Sequence, residues 1–139
     1  MNVDHLKQQK MPSPFTRRIQ TIGSELVAYN NDSLLFVYED WASKQSPKLL
    51  KYDLSSKSWN QDQSAPKLRN CSTQCTLGSK LYIFGGFYIE DIYTNLESAL
   101  VIDLEDDNAE WRQVQDPLLG RIDAAACPIS STEILIVGG

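Results

Sequence analysis

His5 is the only histidine in the chain, and it lies in a short basic stretch ahead of any apolar pattern. Acid–base or nucleophilic catalysis built on an imidazole needs that ring within hydrogen-bond reach of its partners, so the body of the chain offers no Ser-His-Asp or Cys-His centre. The thiols are Cys71, Cys75 and Cys127. Cys71 and Cys75 are four residues apart, which on a strand puts both on one face. A structural zinc site needs four ligands, and no second pair faces them, so they read as buried, inert thiols. Gly85-Gly86 and Gly138-Gly139 are not followed by the lysine, the hydroxyl residue and the helix start that cradle a phosphate. Glu105-Asp106-Asp107 reads as a solvated turn. The expectation is a protein that is not an enzyme, with no catalytic residue, no metal and no cofactor.

The elements that could position anything else come in a repeat. Leu81-Tyr82-Ile83-Phe84-Gly85-Gly86 and Ile134-Leu135-Ile136-Val137-Gly138-Gly139 are apolar runs closed by two glycines, and Leu34-Leu35-Phe36-Val37-Tyr38-Glu39 keeps the run without them. The runs start at 34, 81 and 134, a period near fifty residues that marks a repeat architecture. Trp59 and Trp111 are 52 residues apart, Pro66 and Pro117 are 51, and Arg69 and Arg121 are 52. Within the second copy, 71–77, 81–84, 99–104 and 111–114 read as four strands from their apolar and β-branched content, separated by turn residues such as Gly78-Ser79. The first copy predicts strands at 24–29, 34–38 and 48–54 and from Trp59 onward. The third begins at Ile122 and holds two strands. A helix period is absent beyond the short 3–9 stretch.

These residues resemble the kelch repeat, whose unit has four apolar residues, a glycine pair and, downstream, a tyrosine and a tryptophan with six residues between them. Tyr52 and Trp59 keep that spacing; Ile102-Asp103-Leu104 and Trp111 are two residues further apart, and Tyr38-Glu39 stands where glycines belong. The resemblance implies an all-β fold, a partial kelch-type β-propeller of four-stranded antiparallel blades. Residues 1–20 form a tail or closing strand, 21–69 a first, degenerate blade, 70–121 a second, and 122–139 half of a third. About two and a half blades leave an incomplete ring unless the chain continues or oligomerises. Further blades from a C-terminal region or from other chains are therefore expected, and Phe15 to Ile19 could supply a closing outer strand. Cys75 and Cys127 fall at nearly the same blade position, close to a central channel.

Composition narrows the partners. The chain is 42% hydrophobic and 22% charged, as for a folded soluble protein, and its net charge is −5. Lys7, Lys10, Arg17 and Arg18 against Asp4 leave +3 on the first twenty residues and −8 on the rest. An acidic body disfavours nucleic acid and anionic membranes. The lack of a signal-like apolar segment and the odd cysteine count predict a cytoplasmic, reducing setting. The partner is expected to be a protein. In such a blade, the loop between second and third strands emerges beside the inter-blade link, which collects Asp40, Trp41, Lys44, Phe87, Tyr88, Glu90, Asp91 and Tyr93 with Arg69 and Arg121. Aromatics rimmed by charge suit protein binding, while Trp41 and Phe87 could equally cover the core. Arg69 and Arg121 could bond carbonyls of a neighbouring blade or present charge at the surface. Gly85, Gly86, Gly138, Gly139, Tyr52, Trp59 and Trp111 are read as structural. The function expected is a scaffold or adaptor that binds protein. The alternatives are the N-terminal blades of a propeller enzyme or metal-dependent specifier protein, or a structural subunit ordered within a larger assembly.

Overall fold

The computed structural model describes residues 11–15, 24–39, 47–88, 96, 98–115 and 120–139. They form ten strands and no helix: β1 (Glu25–Tyr29), β2 (Ser33–Tyr38), β3 (Lys48–Asp53), β4 (Ser58–Ser64), β5 (Thr73–Leu77), β6 (Lys80–Phe84), β7 (Ser98–Asp103), β8 (Arg112–Gln115), β9 (Ala125–Pro128) and β10 (Ile134–Val137). Three sheets result, ordered β1-β2-β3-β4, β5-β6-β7-β8 and β10-β9. Every pairing is antiparallel, as neighbouring strands joined by short turns must be. The protein is thus all-β and built from blade-type four-stranded sheets, with a hairpin as the third unit.

The turns explain where strands stop. Asn30 (φ 54) and Gly78 (φ 58) take the left-handed conformation at the equivalent first turn of each sheet. Asn tolerates that region and Gly enters it freely. Asp53 closes the β3–β4 turn by accepting the Ser56 N–H (2.6 Å) and hydroxyl (2.9 Å). Asp103, its counterpart, accepts the Glu105 N–H at 3.2 Å and pairs with Lys80 at 3.4 Å. Hydrogen bonds hold both carboxyls below their ordinary range, from Ser56 at Asp53 and first from Ser79 at Asp103. The strand expected from Cys71 begins at Thr73 instead. Cys71 sits at φ 56, outside the extended region, and its counterpart Asp123 at φ 54 does the same.

The core lies between the two four-stranded sheets. Tyr29, Leu35, Val37, Leu49 and Leu68 pack with Leu81 and Ile102, and Trp111 packs against that cluster. Side chains alternate across a strand, so Leu35 (2% exposed) and Val37 (1%) face the second sheet while Phe36 and Tyr38 point away. On that averted face Phe36 and Tyr38 stack at 5.7 Å, and Phe15 meets Tyr38 edge-on at 4.8 Å. Trp59 stands across from Tyr52 in the β3–β4 register, 5.0 Å between ring centres, and donates its Nε1–H to the Pro12 carbonyl at 2.8 Å. The segment 11–15 therefore covers on the first sheet the side that the second sheet presents to the first. Phe15 is not in a strand, and the remainder of the expected closing strand, 16–19, lies outside the described residues. On the third unit Leu135 (45%) and Val137 (59%), the positional counterparts of Leu35 and Val37, are exposed.

Candidate functional site

The link between sheets is where the repeated residues meet. Arg69 is 2% exposed, and its guanidinium donates to the Ser98 carbonyl, to the Ser98 hydroxyl at 3.0 Å and, more weakly, to the Gly85 carbonyl at 3.4 Å. Burial pulls its pKa down, with the nearby Tyr88 hydroxyl acting in the opposite sense. Arg121 repeats the motif at the next link, donating to the Gly138 carbonyl at 2.7 Å. The backbone carbonyl of Arg121 in turn accepts the Gly86 N–H at 2.7 Å. Successive glycine pairs are thus fastened to each other through one arginine: its carbonyl holds the pair behind, its guanidinium the pair ahead. Gly85 (φ 61), Gly86 (φ 81), Gly138 (φ 82) and Gly139 (φ 100) all adopt conformations that side chains resist.

This geometry settles the two roles expected of Arg69. It bonds carbonyls of the neighbouring sheet, and its near-complete burial takes it off the surface that a partner would touch. Arg121 is half-buried and remains accessible in part. Phe87 and Tyr88 are also half-buried, and they are not a free loop. Phe87 exchanges both backbone bonds with Asn70, at 3.0 and 2.9 Å, and the Lys67 ammonium lies 5.2 Å from the Tyr88 ring centre, a cation–π distance. Lys67, Phe87 and Tyr88 therefore gather at the link, above the buried Arg69. Asp40, Trp41, Lys44, Glu90, Asp91 and Tyr93 lie outside the described residues.

The thiols differ sharply. Cys75 is buried and its pKa is pushed up to about 11, first by burial and then by the neighbouring Cys127. Asp123, by hydrogen bonding first of all, raises the Cys71 thiol. Cys127 is exposed, and all three are free. Since the thiolate is the nucleophile, iodoacetamide at pH 8 should alkylate Cys127 at least about a hundredfold faster than Cys75 in the folded chain, because only about a thousandth of Cys75 is ionised there. Peptide mapping over time checks this; equal rates would show that the first strand of the second sheet is open to solvent. Among the described residues no group of three or more His, Cys, Asp or Glu side chains gathers as a metal site.

Sequence reasoning missed Glu25 and Gln74. Gln74 is 3% exposed, and its backbone N–H donates to Glu25 Oε2 at 2.9 Å across the two sheets. A glutamine in the middle of a short inner strand otherwise made of threonines, a cysteine and a leucine was the available signal.

A fold of blade-type antiparallel sheets tied at their links is the class that these observations define. The solved structure of YjhT is similar, with a TM-score of 0.56 and 12% sequence identity over 79% of this chain and 41% of that one. At that identity the likeness is one of fold, and the chain spans well under half the length of YjhT. No family model matches the chain, and no curated protein matches it.

Proposed function

We propose that the chain is a non-catalytic protein-interaction module of kelch type, a scaffold or adaptor of the cytoplasm that takes up its partner at the links between blades. The observation that carries this reading is the Lys67–Phe87–Tyr88 cluster: two half-exposed aromatics beside a cation, on backbone pinned by the Asn70–Phe87 bridge and braced from beneath by Arg69. Pre-organised aromatic and cationic groups lose little freedom on binding, which is why such clusters dominate protein interfaces. The kelch assignment is supported by the paired glycines, by Tyr52 and Trp59 standing directly across from one another, and by the recurrence of the arginine tie.

The test is to replace Phe87 and Tyr88 together by alanine and compare partner capture with that of the unaltered chain. The backbone bridge does not depend on either side chain, so the melting temperature should fall by less than about 5 °C, while affinity for a captured protein should drop roughly thirtyfold, the scale of an interface hot spot. Capture that is identical for both chains would reject this face as the binding surface.

A further inference from the structure

A second feature lies away from the links, on the side of the first sheet averted from the second. Rings cross that side in series: Tyr38 stacks on Phe36 at 5.7 Å, Phe36 lies 6.3 Å from Trp59, and Trp59 lies 5.0 Å from the buried Tyr52. The matching positions of the second sheet are different. Ile83 stands where the first sheet has Phe36, and Gly85 where it has Tyr38. Leu81, on that side of the second sheet, is buried against the first. The first unit thus departs from the repeat by placing aromatic rings on the side where a peptide segment, and not a sheet, lies among the described residues.

That segment is Met11-Pro12-Ser13-Pro14-Phe15. Each proline fixes its own φ, and Met11 and Ser13, standing before prolines, are held extended. Neither proline has an N–H, so neither can donate to a strand ladder. The segment is held by other means. The Trp59 indole N–H donates to the Pro12 carbonyl at 2.8 Å, and the Phe15 ring meets Tyr38 at 4.8 Å and Phe36 at 6.5 Å. The Ser13 hydroxyl accepts the Phe15 N–H at 3.2 Å, which fixes the turn into that ring. Preformed proline segments dock in this way on aromatic grooves, because little freedom remains for them to lose. A groove of about 290 Å³ stays open between the segment and Leu26, Phe36 and Trp59. One water occupies about 30 Å³, so the chain's own segment leaves room for a bulkier occupant.

We infer that this face is a receptor for an extended peptide of a partner protein carrying Pro-x-Pro and a following aromatic residue, with residues 11–15 as a tethered stand-in that must leave first. Charge supports such a ligand with basic flanks. Lys10, Arg17 and Arg18 flank the tethered segment in sequence, and the first twenty residues carry +3 against −8 on the rest. A tethered occupant acts at an effective concentration of about millimolar, so it screens out weak competitors and yields to a better-fitting one. The inference does not rest on the Lys67–Phe87–Tyr88 cluster, which lies at the links.

Titration of the ¹⁵N-labelled full chain with acetyl-Met-Pro-Ser-Pro-Phe-amide tests this by NMR, read at the Trp59 indole N–H and the Leu26 and Phe36 backbone amides. Phe15→Ala loosens the tethered segment and leaves the sheets untouched. The peptide should bind this variant saturably, and the unaltered chain at least about fivefold more weakly, since apparent affinity falls with the fraction of uncovered receptor. Trp59→Phe, added to Phe15→Ala, keeps a ring but removes the donor and should weaken binding about threefold to tenfold. A peptide with alanine at both proline positions should bind about tenfold more weakly. Absence of binding to Phe15→Ala, or equal binding to it and to the unaltered chain, would overturn the inference. Equal binding of the alanine peptide would overturn the ligand class.

Discussion

Gly85→Ala should lower the stability of the chain by roughly 3–5 kcal/mol, a large part of the 5–15 kcal/mol that holds an ordinary domain together. Two costs combine. The φ of 61 is one that an alanine adopts at about 1–2 kcal/mol. A Cβ built there would also fall on the backbone carbonyl oxygen of Arg121, which cannot swing aside as the end of a flexible side chain could. Moving that carbonyl breaks its bond from the Gly86 N–H at 2.7 Å, worth about 1 kcal/mol more. The melting temperature should fall by about 10–20 °C. Gly78 supplies the control: its φ of 58 is nearly the same, but nothing lies within 4 Å of its missing Cβ. Gly78→Ala should therefore cost only the backbone share, about 1–2 kcal/mol. Equal losses in the two variants, measured by urea unfolding, would show that the approach of Arg121 to Gly85 contributes nothing.

Arg69→Met is the second large effect, at about 2–4 kcal/mol. Methionine fills much of the same volume but has no donors, so the Ser98 carbonyl and hydroxyl and the Gly85 carbonyl lose their partner inside the sheet link. Because those acceptors are uncharged, no buried countercharge is stranded, and the penalty is that of unsatisfied carbonyls. Arg69→Lys should fall between the two, since one ammonium cannot span Ser98 and Gly85 as a fork does. Arg121→Met should cost less, because Arg121 is half-buried and water can replace it. Chemical denaturation of the three variants ranks them; a cost below 1 kcal/mol for Arg69→Met would remove the tie from the account of stability.

The strands were legible because each signal was local. Alternation in 34–38, the continuous apolar run at 81–84 and the turn residues between them predict strands that the structure places within a residue or two, and the four-to-a-sheet grouping follows from the repeat. The exception, Cys71, turns on a left-handed backbone that no neighbouring residue type announces. The recurrence of Arg69 and Arg121 was visible, but which of two roles each plays depended on whether sheet residues closed over the guanidinium, a matter of packing across the link. Glu25 and Gln74 are 49 residues apart, and their meeting required both sheets to be in place. Phe87 read as loop because the single residue that pins it, Asn70, precedes the strand rather than following it.

The stretches between β2 and β3 and between β6 and β7 should change length without shifting the register of a sheet, provided that Gly85, Gly86 and Phe87, which the arginine fastening and the Asn70 bridge hold just after β6, are kept. The second of these already exceeds the first by several residues. Peptide tags, reporter sequences or whole inserted domains at those two places should be accepted with little loss of folding, which makes this chain a ready host for display.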